Sequence, residues 1–412
     1  MWLWLFLTIC VYYMLRPVRS ALVMSTSGAH ALPWIYMGTA LATGAAAYLF
    51  GRCAGVGRKR LIAGTLGLFV ACLFVWWFVA GWAQAARLAG ASRWSWSPPA
   101  FYIWTDVFSI VSVTVFWMYA NDVFAAGSAK RVFGLITSGG PAGAILGAWL
   151  TESLVVRIGT VNMLLVAAGV YLGVLALFLW LESIWGGRCG RRPEASASPA
   201  DLSRVREIFR LIVSTRVLLL LTAVVGFERM VPDFVDYAFQ ALAHGAHPGM
   251  DAYARFFAGF EKWRNIGVLA AASLATAPLL AGPGVGITLS TVPATILACG
   301  SLFLLAPGMG TVLLLKGLEE GQRHAWFKAA KETVYTVAGR DVIYRVKGYV
   351  DMFLYRLCRG IAGFILLVLQ TAGFGPTACV AASLPLALVW LCCAWKLGGE
   401  YQRLEREGSS GA

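Results

Sequence analysis

The chain has 412 residues, 59% hydrophobic and 13% charged, with a mean hydropathy of +0.71. A soluble domain carries about 25% charged residues, so these figures exclude a soluble globular protein and point to a polytopic membrane protein. The formal net charge of +14 does not indicate nucleic acid: Lys and Arg cluster in short loops between apolar segments, and no soluble module exists to carry a basic groove.

A bilayer-spanning helix needs about 20 mostly apolar residues. On that basis the sequence predicts an all-α membrane protein of about twelve spans, near 2–23, 31–50, 61–86, 100–123, 133–155, 161–181, 217–239, 252–280, 285–306, 308–330, 348–370 and 376–397. The first is apolar from Trp2 onward, with no basic stretch before it and no small-residue cleavage site. It is expected to be a retained helix rather than a cleaved signal, with a start set slightly late.

Within that span lies Leu15-Arg16-Pro17-Val18-Arg19. A cation in a bilayer core costs about 2.5–3.5 kcal/mol on insertion scales. Arg16 and Arg19 share one helix face and are expected to meet something anionic in an interior or water-filled cavity. Span four offers Asp106 as their deep partner. Asp122, near its other end, is expected to pair with the basic turn Lys130-Arg131 as a gate. In span five, Gly139, Gly143 and Gly147 recur every four residues, a spacing that lets a second helix backbone approach closely.

A polar linker at 182–215 follows, with a surface helix expected from Asp201 to Arg210. Span seven carries Glu228, Arg229, Asp233 and Asp236 around Pro232, where a discontinuous transport helix is expected. Glu228 and Arg229 are one candidate neutralising pair, although adjacent helical residues do not face each other. Span eight carries Glu261, Lys262 and Arg264. In span ten, Lys316, Glu319, Glu320 and Arg323 form one stripe that must line water or meet other charges. Lys347, Asp351 and Arg356 open span eleven.

Arg16, Arg19, Lys262, Arg264, Lys316 and Arg323 are therefore the candidate substrate-binding residues, because basic side chains suit an anion such as a phosphate. Asp106, Glu228, Asp233, Glu261, Glu319 and Glu320 are the candidates for charge balance or ion coupling. Asp122, Lys130, Arg131, Lys347, Asp351 and Arg356 are the gating candidates.

Basic loops at Gly51–Arg60, Lys130-Arg131, the linker and Arg340–Lys347 fall on one side. Loops at 27–32, 306–310 and 373–376 are nearly uncharged. Both termini are thus expected in the cytoplasm, with the chain in a bacterial inner membrane. The division is 1–181 and 216–398 as six-helix halves, 182–215 as linker and 399–412 as tail. That is the layout of major facilitator superfamily transporters, which bind substrate near the midplane.

Nine cysteines, an odd number without metal spacing, read as small hydrophobes. His244 and His247 share an outer loop with Asp251 alone nearby, too few ligands for a metal. No nucleophile elbow or phosphate loop is present. Two alternatives to transport fit the sequence less well. A scaffold or sensor of this fold lacks an appended domain, and a membrane-embedded enzyme lacks a nucleophile–base pair. No cofactor is expected. The expected partners are a small anionic solute and membrane lipids, for a monomer.

The run Tyr12–Leu22, then Phe116-Trp117-Met118, Asp122-Val123-Phe124, Ala129–Gly134 and Gly139-Gly140, and finally Lys331–Tyr335 with Lys347, Asp351 and Arg356, resemble the ATP/ADP translocase-type nucleotide transporters and their bacterial relatives. These blocks run through nearly the whole chain in family order. The resemblance implies a twelve-helix, antiporter-like carrier whose basic residues grip phosphates. The chain departs at Ser20, where many relatives have Asp, and at Arg359-Gly360, where a Gly-Asp pair is common. Both changes make the pathway more positive and weigh against plain ATP/ADP exchange.

Overall fold

The computed structural model describes residues 1–52, 57–88, 95–124, 126–185, 202–337 and 354–410. Among them there is no strand, and twelve long helices account for most of the chain. In order, the helices are α1 (Trp2–Ser27), α2 (Leu32–Arg52), α3 (Arg58–Leu88), α4 (Ser97–Val123), α5 (Ala126–Ile158), α6 (Met163–Trp185), α7 (Leu202–Ser214), α8 (Arg216–Ala246), α9 (Met250–Leu274), α10 (Thr276–Ala281), α11 (Gly284–Leu305), α12 (Met309–Gln322), α13 (Lys328–Val337), α14 (Tyr355–Thr371) and α15 (Pro376–Ser410). A π turn, Arg323–Phe327, joins α12 to α13. Among the described residues, seven helices are long and apolar enough to cross a membrane: α1, α3, α4, α5, α6, α11 and α15. Together with the fold, they make this an integral membrane protein.

Local chemistry sets the helix ends. Gly28 closes α1 at φ 64°, a conformation that costs a residue with a Cβ, and its N–H bonds the Val23 and Met24 carbonyls. Pro98 and Pro99 lie in the first turn of α4, where no intrahelical N–H is needed.

Contacts group the chain into two compact units. Unit 1 comprises Met1–Ala31, Leu41–Ala197 and His247–Ile266. Unit 2 comprises Leu32–Ala40, Ser198–Ala246 and Gly267–Ala412. Neither is continuous in sequence.

In unit 1, α1 is the hub. It packs on α4, α5 and α6, while α3 packs on α4 and α6. Trp4 fills the core with its ring 5.6 Å from Phe116, 5.4 Å from Tyr119 and 5.4 Å from Phe178. Lipid is as apolar as leucine, so helices here associate mainly through close packing. The α5 glycine stripe provides it. A Cβ at Gly139 would stand 2.9 Å from the Trp2 carbonyl oxygen, and one at Gly143 or Gly147 would run into the carbonyls of Phe6 or Cys10.

In unit 2, α8 is the hub. It packs on α12, α14 and α15, while α11 packs on α12 and α15. Pairing α1 with α8, α3 with α11, α4 with α12, α5 with α14 and α6 with α15 matches the contacts of both hubs and of α3 and α11 in the two units. The repeat is one of packing, and it is not visible residue by residue.

Three expected elements differ. Span eight, read as one helix over 252–280, ends at Leu274 and resumes as α10, with Pro278 inside the first turn of the short helix. Span seven, expected to be discontinuous at Pro232, is one continuous helix, α8, that absorbs the proline. In the linker, α7 begins at Leu202 and runs on to Ser214, past the Arg210 expected as its end.

Candidate functional site

The charged side chains inside each unit form separate clusters. In unit 1, α1 presents Arg16 and Arg19 around Pro17, which lacks the N–H that would bond the Tyr13 carbonyl. Arg19 is 4% exposed and makes an ion pair with Asp106 of α4. The Tyr102 ring covers its guanidinium at 4.0 Å. Asp106 therefore serves Arg19.

Arg16 reaches α9 instead. Its Nη1 lies 2.7 Å from Oε1 of Glu261. The other oxygen of Glu261 pairs with Arg264, one turn along α9. Glu261 is fully buried, so two guanidiniums converge on one carboxylate out of water. Arg264 Nη2 also donates to the Tyr13 hydroxyl at 3.1 Å, and the Tyr13 ring lies 5.9 Å from Arg16. Tyr13 and Tyr102 were missed in the sequence. A tyrosine in an apolar run carries no charge signal.

Lys262 follows Glu261 by one residue and so faces elsewhere. Its Nζ lies 2.6 Å from Glu152 of α5, and it stacks on Trp263. Glu152 was also missed, although a lone carboxylate in an apolar span was a readable signal. Asp251, at the start of α9, accepts from the Thr160 N–H at 2.8 Å and from its hydroxyl at 2.5 Å.

At the other end of unit 1, Arg58 lies 3.5 Å from Asp122 and 3.5 Å from Glu182, over the Tyr119 ring. Asp122 thus pairs with the start of α3. The side chains of Lys130 and Arg131, its expected partners, lie outside the described residues, as do Lys347 and Asp351. Arg356 is half-buried in the first turn of α14.

In unit 2, Lys316 of α12 lies 2.8 Å from Asp236 and 3.4 Å from Glu320. Asp236 also accepts from the Tyr36 hydroxyl and from Gln240, each at 2.7 Å. Arg323 lies 2.8 Å from Glu319 and 3.9 Å from Glu320. Glu228 and Arg229 do not pair with each other. Glu228 takes Lys331 of α13 at 2.6 Å, and Arg229 takes Asp233 at 3.2 Å. Arg359 stands 4.0 Å from Asp233, over the Tyr36 ring.

All six candidate basic residues thus face a carboxylate: in unit 1 Arg19 meets Asp106, Lys262 meets Glu152, and Arg16 and Arg264 share Glu261, while in unit 2 Lys316 meets Asp236 and Arg323 meets Glu319. Such pairing is what burial of charge in a membrane requires.

No protein-family model matches the sequence, and no curated protein sequence does either. The fold does have solved counterparts. The nucleoside transporter NupG superposes with a TM-score of 0.63 at 12% identity, over 97% of each chain. A bacterial homologue of the iron transporter ferroportin gives 0.67 at 12% identity, over 96% of each. An auto-inhibited POT family peptide transporter gives 0.61 at 13% identity, over 97% of this chain and 96% of that one. Likeness at this identity establishes the fold, which is the major facilitator superfamily-like, all-α membrane fold.

Proposed function

We propose that this protein is a secondary transporter that carries an organic anion across the membrane by alternating access, with Arg16, Glu261 and Arg264 as its anion site. One observation carries the reading: two guanidiniums from different helices meet on a single buried carboxylate. Each guanidinium presents a fork of donors suited to a carboxylate or phosphate. An incoming anion competes with Glu261 for those forks, and Glu261 holds the arginines in place when the site is empty. Arg19, fixed by Asp106 one turn along α1, adds positive potential beside them.

The transport reading is supported by the fold, whose solved counterparts include a nucleoside transporter, a peptide transporter and a homologue of an iron transporter. Their cargoes differ in charge, so the anionic cargo rests on the arginine pair alone. Among anions, nucleotides and other phosphorylated solutes come first, on the strength of the sequence blocks that resemble nucleotide transporters. Antiport, a bacterial inner-membrane location, cytoplasmic termini and a monomeric state belong to the same reading.

The test is thermal unfolding of the purified protein with nucleotides, sugar phosphates, inorganic phosphate and carboxylates. A ligand at 100 times its Kd stabilises the folded state by about 2.7 kcal/mol. A shift with one anion class that vanishes in Arg16→Ala supports the site. No shift with any anion, or one that survives Arg16→Ala and Arg264→Ala alike, overturns it.

A further inference from the structure

Helix α7 separates apolar from charged residues by face more sharply than the spanning helices do. In sequence, Leu202, Val205, Phe209 and Ile212 follow at steps of three and four, and Val213 stands one turn from Phe209. Arg204, Arg206 and Arg210 are set against a single acid, Glu207. The protein covers only part of the apolar face. Ile212 is 4% exposed, whereas Phe209 is 61% and Val213 53% exposed. Arg210 is exposed at the border of that strip, and Glu207 and Ser214 are exposed on the far side.

The neighbours of α7 set its level. Thr215 alone joins it to α8, the hub of unit 2, on which it packs. Arg216 opens α8 with its side chain 69% exposed and holds Glu400 of α15 at 2.9 Å. A charge so exposed belongs at the headgroups or beyond, because the bilayer core disfavours it. Little more than a turn before Glu400, Trp395 is 68% exposed, and Lys396 beside it is exposed too. An aromatic ring and a long cationic side chain are the usual anchors of a membrane–water interface. Helix α7 thus sets out from the interface with an apolar strip that the described residues leave uncovered. In water that strip is unfavourable; against acyl chains it is not.

We propose that α7 lies in the membrane surface as a binding site for anionic lipid. Phe209 and Val213 enter the acyl region, Arg210 meets a headgroup phosphate, and Glu207 and Ser214 face water. Helices of this kind sink their apolar face about 5–10 Å into the headgroup boundary, and anionic lipid strengthens their hold. The excess of arginine over acid on α7 selects a negatively charged lipid, such as phosphatidylglycerol, over a zwitterionic one. The inference goes beyond the anion reading and shares no residue with it: its ligand is a lipid at the surface, not a solute in the interior.

The test is photocrosslinking of the full chain, with p-benzoylphenylalanine in place of Phe209, Val213 or Glu207, in vesicles of phosphatidylcholine and phosphatidylglycerol. Adducts are identified by mass spectrometry. Positions 209 and 213 should yield lipid adducts and position 207 few. The adducts should hold phosphatidylglycerol in excess of its share in the vesicle, up to about fivefold for one arginine, and Arg210→Gln should bring that excess down toward the vesicle share. Adducts from 209 and 213 to protein, whether a second copy or another part of this chain, overturn the proposal. So do lipid adducts equal at all three positions, or a wild-type lipid mixture that matches the vesicle. An excess that survives Arg210→Gln overturns the headgroup contact. If the substitution at Phe209 does not give folded, monodisperse protein, the similarly exposed Val213 position decides by the same readings. No transported solute is needed, so failure of the anion reading leaves the result intact.

Discussion

At the scale of single residues, Glu261 is the position where the anion reading is most exposed to test. In the empty protein it separates two guanidiniums that otherwise repel, Arg264 buried and Arg16 part-buried. Breaking a buried pair by removing one partner costs about 3–5 kcal/mol, because the remaining charge is left uncompensated. Glu261→Gln is therefore expected to lower the unfolding temperature of the empty protein. Its competitor gone, a bound anion should restore more stability than in wild type. Thermal unfolding with and without the anion checks both signs, and a smaller anion shift in Glu261→Gln than in wild type contradicts the competition. Glu152 and Lys262 behave differently, since they pair with each other at a part-exposed edge. Glu152→Gln and Lys262→Met should each destabilise, and the double variant should lose less than their sum, by a coupling of about 0.5–3 kcal/mol. Additive effects in that cycle would mean the pair contributes nothing. Arg16 and Arg19 were legible in the sequence because a cation in an apolar run is costly enough to need a purpose. Their partners were legible only as a pool of carboxylates. Asp106 and Glu261 are 87 and 245 residues from the arginines they meet, and only the packing of α4 and α9 on α1 assigns them.

At the scale of helices, the glycine stripe of α5 shows how much a pattern can specify. Its four-residue repeat predicted close backbone approach, and the partner proved to be α1, the helix carrying Arg16 and Arg19. Substituting Gly147 by Leu should force the two helices apart, since even a Cβ there overlaps the Cys10 carbonyl. The expected outcome is loss of folded protein on size-exclusion chromatography, against little change for Gly134→Leu, whose Cβ position is open. Equal behaviour of the two variants would remove the packing argument. Where reading by helix went astray, proline was the cause. In span eight, a stretch of that length exceeds the roughly 20 residues a bilayer needs, and Pro278 marks a new helix start that the apolar content concealed. In span seven, Pro232 suggested a break, yet α8 stays continuous. A membrane helix tolerates proline where neighbouring groups satisfy the freed carbonyl. Pro17 in α1 is the same case: both hub helices carry a proline inside their charged stretch.

At the scale of the whole molecule, the number of crossings decides where the ends of the chain lie, and the two ways of counting disagree in parity. Seven helices qualify as spans by length and apolar content alone. An odd number of crossings places the termini on opposite sides. The five long helices left out are α2, α8, α9, α12 and α14. Of these, α8, α9, α12 and α14 carry the ion-paired residues of the clusters. Their low apolar score is a consequence of charges that are compensated inside a unit, so it is no barrier to crossing once the units have formed. Unit 2 repeats helix partners of unit 1 with α8, α12 and α14 in the places of α1, α4 and α5, so these three are expected to cross as their counterparts do. Twelve crossings are the expectation on that basis, and an even count puts both termini on one side. The arginine-rich linker and loops of the sequence make the cytoplasm the expected side. Reporter fusions measure this directly: a fluorescent protein that folds only in the cytoplasm, placed at either end, should light up, and alkaline phosphatase at either end should stay inactive. Opposite results at the two ends would favour the odd count, and would mean that at least one of α2, α8, α9, α12 and α14 lies outside the bilayer.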